Sequence, residues 1–479
     1  MSAQIMRLFA VIVVLFALLV VWTTRWTVFD ATALNNNPLN ARTKIATLKI
    51  KRGRILANDG QVLARSYKQQ STGYWLRTYP QGSLFAQAVG YSDLRSDQSA
   101  GLERYRLADL KGPQTTLNSV FGPLGGNQNV GDDVYTTLDP KAQKLARQEL
   151  AGRQGSVVAL DPRTGAVLAM YSNPTYDDNH HTPSKACNAI SCQLNRATQG
   201  QYPPGSTFKV LTATAAINSG KYTPNSIIDG DSPKTISGVA LQNDNDQSFG
   251  PITLTKALTD SVNTVFAQVA VKLGRKTMTD YMKRFGFYAR PPIDLPSGEV
   301  TSSRPFDFKG RAFRPGSPNE DIGRIAIGQG GLLVTPLQMA MVAAAVANGG
   351  KLMEPRLTSK VVDADGRTVQ TLQPTELDQV MTPQTASEVN QMMRTVVDEG
   401  TGTPAKLGAG IPFAGKTGTA SIGATGSGLT QPWFIGFAPA NDPKVAVAVT
   451  IERTQGQFGG QVAAPIARDI VQALLGEGK

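Results

Sequence analysis

Histidine and cysteine are nearly missing from this chain of 479 residues, which holds two of each. The histidines, His180 and His181, are neighbours in a loop-like polar stretch. A Ser-His-Asp triad would have to recruit one of them from there. Cys187 and Cys192 follow, with four residues between them, a spacing that fits no common zinc pattern. Three states stay open for them: a small disulfide loop outside the cytoplasm, free thiols, or a metal site shared with the histidines. An Arg-rich run, a zinc-finger spacing and a recognisable RNA-binding signature are also missing. The net charge of +12 is therefore not read as nucleic-acid binding. There is no internal repeat and no low-complexity tail, and after the first thirty residues no segment is apolar enough to span a membrane.

What is present begins with ample material for a core. Apolar residues make up 41 % and charged residues 18 %, which are globular values, and the length suggests two or three domains. The charge is uneven: residues 1–150 hold 18 Lys/Arg against 10 Asp/Glu, and residues 151–479 hold 30 against 26. Leu8 to Trp22 is an unbroken apolar run of fifteen residues, with Trp22 and Trp26 suited to a membrane interface. Ala31-Thr32-Ala33 resembles a cleavage site, but it lies well past the run and beyond both tryptophans. A retained signal anchor is the expectation, with the long following chain outside the cytoplasm. Arg7 and Arg25 balance each other and do not fix orientation.

Asn35-Asn36-Asn37-Pro38 reads as a break, and Asn58-Asp59-Gly60 as a turn between short extended runs. Residues 29 to about 135 mix short strands with Gly-rich loops such as Phe121 to Gly131. Asp139-Pro140 caps a helix through Leu150. From Gly155 the texture changes to a hairpin, with strands Ser156–Leu160 and Ala166–Met170 about the turn Asp161 to Gly165. Three further strands are expected at Phe413–Ala420, Trp433–Ala438 and Val445–Glu452, and a helix from about Ala464 to Leu475 closes the chain. Helical stretches lie between, including Thr207–Ile217, Val265–Leu273 and Pro336–Ala347. Strands at both ends with helices between predict an α+β domain, an antiparallel sheet flanked by helices.

Three motifs carry chemistry. Pro203-Pro204-Gly205 leads into Ser206-Thr207-Phe208-Lys209, which puts Ser206 at a helix start with Lys209 about one turn on along the same face. A serine hydroxyl is a poor nucleophile until a base takes its proton, and a lysine can be that base when burial or a nearby cation lowers its pKa. Read alone, the pair is also an ordinary cap with a solvated lysine. Ser261-Val262-Asn263 opens another helical run, where such residues usually cap. Lys416-Thr417-Gly418-Thr419 lies in a strand, where the bland reading is an edge strand guarded by a lysine. Together, in this order and separated by 55 and 155 residues, on a helix start, a helix start and a strand, they say much more.

On these motifs the sequence resembles the penicillin-binding protein and serine β-lactamase superfamily, and within it a class B, monofunctional penicillin-binding protein. Arg52-Gly53-Arg54-Ile55, Gly101-Leu102-Glu103-Arg104-Tyr105, Thr136-Thr137-Leu138-Asp139, Gly328-Gln329-Gly330, Thr335-Pro336-Leu337-Gln338 and Trp433-Phe434-Ile435-Gly436-Phe437 are similar to further segments of that family. The layout most resembles the short penicillin-binding protein A type of actinobacteria. The resemblance implies an anchor over 1–28, a non-catalytic pedestal (dimerisation-like) domain over 29–150 and a transpeptidase domain over 151–479 with a five-stranded antiparallel sheet. It implies Ser206 as nucleophile, Lys209 as its base, Ser261 as proton relay and Asn263 placing the substrate amide. Lys416 would keep Lys209 neutral and bind the terminal carboxylate with Thr417 and Thr419. Gly418 allows close backbone approach, and the backbone N–H groups of Ser206 and Thr419 would form an oxyanion hole. The implied partners are peptidoglycan stem peptides, β-lactams and a polytopic SEDS-type glycan polymerase meeting the anchor and pedestal. No cofactor or metal and no glycosyl transfer is implied. The cysteine stretch ahead of Ser206 departs from the family pattern.

Rival functions share parts of this reading. A β-lactamase or β-lactam sensor uses the same acyl-serine motifs, a DD-carboxypeptidase passes the acyl group to water, and a non-catalytic assembly factor would keep only the anchor and pedestal in use.

Overall fold

The computed structural model describes residues 3–30, 45, 47–93, 98–112, 130–182, 184–408, 410–423 and 427–476. Ala31-Thr32-Ala33, Asn35-Asn36-Asn37-Pro38 and most of the loop from Phe121 to Gly131 lie outside these residues. Helix α1, Ala3–Thr24, continues through a wider turn at Arg25–Phe29. Its side chains are exposed along its whole length. Among the described residues it is the one helix long and apolar enough to cross a membrane.

The N-terminal region is built on strands β1 (Ile55–Leu56), β2 (Val62–Lys68), β3 (Trp75–Thr78) and β4 (Asp133–Thr136). Asn58-Asp59-Gly60 makes the turn between β1 and β2, with Gly60 at φ 87° and its N–H on the Ala57 carbonyl at 3.1 Å. Two of the family-like segments meet inside this region. Arg52 reaches Glu103 at 3.4 Å and Arg77 reaches it at 2.5 Å, all three side chains at most 1 % exposed. Removing one member of such a buried cluster leaves a charge uncompensated, which typically costs about 3–5 kcal/mol.

Helix α2, Pro140–Glu149, starts where the sequence predicts, and the Asp139 carboxylate accepts the N–H groups of Lys141 and Ala142. Strands β5 (Gly155–Leu160) and β6 (Val167–Asn173) form the expected hairpin, closed by the Gly165 N–H on the Asp161 carbonyl at 2.9 Å. Helices α3 (Lys209–Asn218), α4 (Leu254–Thr259), α5 (Asn263–Leu273) and α6 (Pro336–Ala347) follow. Strands β7 (Thr358–Val362) and β8 (Thr368–Thr371) return to the N-terminal sheet, which runs β8-β7-β4-β1-β2-β3. That sheet therefore draws strands from both sides of residue 150, a pairing that a linear boundary there does not capture.

After α7 (Pro383–Asp398) come β9 (Ala414–Ser421), β10 (Leu429–Ala438), β11 (Val445–Ile451) and α8 (Gly459–Leu475). The second sheet runs β9-β10-β11-β5-β6 with every pair antiparallel, and the short strand Thr454–Gln455 pairs with the start of β10. Every residue of β5 and β11 is buried, so both faces of the sheet centre are covered. Helix α6 packs on β11 and β5, and α8 packs on β10 and β11. Burying each Val, Leu or Ile of these strands contributes about 1.5–3 kcal/mol. The closing helix is longer than its apolar pattern suggests, because Gly459 and Gly460 begin it against the backbone of β9, β10 and the Thr401 loop. Cys187 and Cys192 are joined in a disulfide, with their Cα atoms 5.1 Å apart.

Candidate active site

The three motifs converge from elements far apart in sequence. Gly205–Phe208 is a single tight turn that runs directly into α3, so Ser206 sits in the turn and Lys209 is the first residue of the helix proper. Glycine is required on both sides of this turn. Gly205 has φ 52°, and its position lies against the backbone of Thr419. Gly328 has φ 75°, and a Cβ there would fall 2.0 Å from the Gly205 carbonyl oxygen. The Gly205 N–H donates to the Gly328 carbonyl at 3.1 Å. The Gly328-Gln329-Gly330 segment is thus the floor on which the Ser206 turn rests.

Ser261 precedes α5 with φ 64°, a left-handed conformation that a serine adopts only at a cost of roughly 1–3 kcal/mol. The strain turns its carbonyl and its hydroxyl toward Lys209. The Lys209 Nζ lies 2.5 Å from the Ser261 carbonyl oxygen, 3.2 Å from its Oγ and 2.6 Å from Asn263 Oδ1. Asn263 is held in turn, its Nδ2 donating to the Gln242 carbonyl at 3.1 Å and facing Asp244 Oδ1 at 3.4 Å. From β9, the Lys416 Nζ reaches Ser261 Oγ at 2.9 Å and the Thr417 carbonyl at 3.1 Å. β9 is an edge strand, as the bland reading of its sequence would have it, yet Lys416 is 0 % exposed and points into the site. It does not guard an edge.

Burial and mutual repulsion set the charge state. Burial pushes the Lys209 amine well below the ordinary lysine range, and the nearby Lys416 cation pushes it further. Burial brings Lys416 down to about 7, against the pull of Asp244 and Asp260. Both effects favour the neutral amine at Lys209, the form that can accept a proton.

Ser206, Ser261, Thr417, Gly418 and Thr419 open onto one groove of about 450 Å³. Thr417 Oγ1 is 2.6 Å from Thr401 Oγ1, and Thr419 Oγ1 accepts the Gly459 N–H at 3.1 Å. Gly418 lets the strand pass close to the turn: a Cβ there would meet the Pro204 carbonyl at 2.7 Å. The structure thus brings Ser206, Lys209, Ser261, Asn263, Lys416, Thr417, Gly418 and Thr419 together, while Cys187 and Cys192 lie elsewhere, among neither the lining nor its hydrogen bonds. Sequence reasoning missed Asp244, Asp260, Thr401, Phe458 and Gln461 in the groove wall. They come from loops and helix ends whose local sequence carries no periodic or motif signal.

Known proteins are similar to this chain in sequence and fold. Residues 155–472 match the family described as penicillin binding protein transpeptidase domain, and residues 52–134 the penicillin binding protein A dimerisation domain. A curated relative, peptidoglycan D,D-transpeptidase PbpA of Mycolicibacterium smegmatis, is 34 % identical over 100 % of both chains. A structure of penicillin-binding protein A from M. tuberculosis as a ceftriaxone acyl-enzyme complex has a TM-score of 0.80 at 30 % identity, covering 90 % of this chain and 100 % of that one. The penicillin G acyl-enzyme complex of the same protein gives 0.77 at 31 % identity, covering 89 % and 99 %. This chain belongs to the penicillin-binding protein transpeptidase family, and its N-terminal region to the dimerisation-domain family of penicillin-binding protein A.

Proposed function

We propose that this chain is a membrane-anchored, penicillin-sensitive peptidoglycan D,D-transpeptidase that works through an acyl-enzyme on Ser206. The observation that carries this is the meeting of Lys209 and Lys416 on one hydroxyl, Ser261 Oγ, at 3.2 and 2.9 Å, with both lysines fully buried. The neutral Lys209 amine takes the Ser206 proton as Oγ attacks the carbonyl carbon between the last two D-alanines of a stem peptide. The backbone N–H groups of Ser206 and Thr419 hold the developing oxyanion, a device whose loss costs about 10²–10³ in rate. The proton passes from Lys209 through Ser261 Oγ to the departing nitrogen. The C–N bond breaks, D-alanine leaves and the acyl ester remains. The amine of a neighbouring stem then attacks that ester, gives its surplus proton to Lys209, and Ser206 recovers its hydroxyl. Lys416, Thr417 and Thr419 bind the terminal carboxylate, Asn263 places the substrate amide, and Gly418 admits the substrate backbone. A β-lactam, sharing the carboxylate and the acyl carbon, would stop at the ester.

The anchor is α1, with the rest of the chain outside the cytoplasm, the side on which a disulfide persists and peptidoglycan lies. We assign 1–28 to the anchor, 29–150 to the pedestal and 151–479 to the transpeptidase domain, with β7 and β8 reaching back to complete the pedestal sheet. A polytopic SEDS-type polymerase is the partner proposed for the anchor and pedestal.

The test is product analysis with a D-Ala-D-Ala stem peptide and an amine acceptor. The expected product joins the shortened peptide to the acceptor, and it disappears in Ser206→Ala. Shortened peptide alone, at any acceptor concentration, would replace the transpeptidase with a carboxypeptidase.

A further inference from the structure

The turn that carries Ser206 is tied to a largely buried ion pair that the proposed chemistry does not use. Arg196 lies ten residues before Ser206, with a side chain 3 % exposed, and it uses its guanidinium on three partners. Nε donates to Glu452 Oε1 at 2.9 Å, Nη1 to the Ser191 carbonyl at 3.1 Å and Nη2 to the Ile190 carbonyl at 3.0 Å. Ile190 and Ser191 sit inside the loop closed by Cys187 and Cys192. The Cys192 carbonyl is fixed from the other side by Gln87 at 3.3 Å. The same Glu452 oxygen that accepts Arg196 also accepts the hydroxyl of Tyr202.

Tyr202 stands four residues before the nucleophile. Its main chain exchanges both hydrogen bonds with Val334 at 2.9 Å. Its ring meets the edge of Trp433 at 6.3 Å, and the Trp433 indole donates to the Pro203 carbonyl at 2.9 Å. Gly200 leaves room for the hydroxyl, since a Cβ there would lie 2.4 Å from it. The segment from Tyr202 to Gly205 is therefore held at one end by Glu452 and Trp433 and at the other by Gly328.

We infer that Glu452, Arg196 and Tyr202 are positioning residues that brace the Ser206 turn, with the Cys187–Cys192 loop as the fixed end of the brace. A buried ion pair is weak as a source of stability, because desolvation offsets most of its attraction and an apolar replacement usually serves as well. Placement is what it supplies: a guanidinium and a phenol on one carboxylate oxygen define a position that an apolar contact would leave loose. The inference rests on the Ser206 acyl-enzyme reading, and it adds a disulfide that the chemistry itself does not need.

The test is the acylation of full-length protein by a fluorescent penicillin. Rates over a range of penicillin concentrations separate the limiting rate constant from the apparent dissociation constant, with melting temperature measured alongside. Tyr202→Phe removes one hydroxyl and leaves the Arg196–Glu452 pair intact, so the protein still folds. It should lower the limiting rate constant about 10- to 100-fold, the range expected of a small displacement of the nucleophile, with the dissociation constant nearly unchanged. Glu452→Gln should cost a similar factor, and the double variant no more than the larger single loss, because both act along one path. Cys187→Ser with Cys192→Ser should lower the same constant by a smaller factor. Wild-type limiting rates in Tyr202→Phe, or losses that multiply in the double variant, would overturn the brace. A wild-type protein that takes no label at Ser206 would instead overturn the acyl-enzyme reading on which the brace depends.

Discussion

An exposed lysine keeps its proton to a pH near 10.5, whereas buried Lys416 releases it at about 7. Between those values the unfolded chain binds a proton that the native chain does not. Stability therefore rises with pH across that window and falls as pH is lowered through it. The ionisable amine has a use in the proposed chemistry: its protonated form keeps Lys209 neutral and meets a substrate carboxylate. Replacing it should exchange function for stability. Lys416→Met is expected to lose acylation and to melt higher than the wild type, by an amount that grows as pH falls from about 10.5 toward about 7 and reaches the equivalent of a few kcal/mol. Thermal denaturation at a series of pH values measures this. Melting curves for the two proteins that run parallel across the window would mean that Lys416 keeps an ordinary pKa.

Two glycine-bearing segments and one edge strand determine where the nucleophile sits. Gly328→Ala forces a side chain onto the Gly205 carbonyl at a φ of 75°. It should leave the far-ultraviolet circular dichroism of the protein intact while cutting labelled-penicillin acylation by roughly 10²-fold. Wild-type acylation in that variant would show that the Gly328 loop does not support the turn. The elements around this site were largely legible in the sequence. The Asp139 cap, the β5–β6 hairpin, α6 and the three late strands follow from local patterns of turn residues and apolar alternation. The β7–β8 hairpin's place in the N-terminal sheet was not legible, because β8 is exposed throughout and carries no apolar face to mark its partner. The groove wall around Asp244 was equally silent. Its geometry depends on Asn243, whose side chain bonds Gly230, Gln247 and the Thr264 N–H, contacts between residues up to 21 apart. The link from Arg196 to Glu452 spans 256 positions, and nothing local in either segment announces it.

At the scale of the whole molecule, a sheet whose central strands are buried on both faces brings together residues from a turn, a helix start and an edge strand that the chain separates by more than two hundred positions. The N-terminal sheet takes β7 and β8 from the far side of residue 150, and α1 is, among the described residues, the one helix long and apolar enough to cross a membrane. That account stands on one covalent bond. Full-length protein incubated with labelled penicillin, digested and mapped by mass spectrometry should carry the adduct on the peptide containing Ser206, at the hydroxyl oxygen of that residue, and Ser206→Ala should carry none. An adduct on another residue, or label retained by Ser206→Ala, would contradict it.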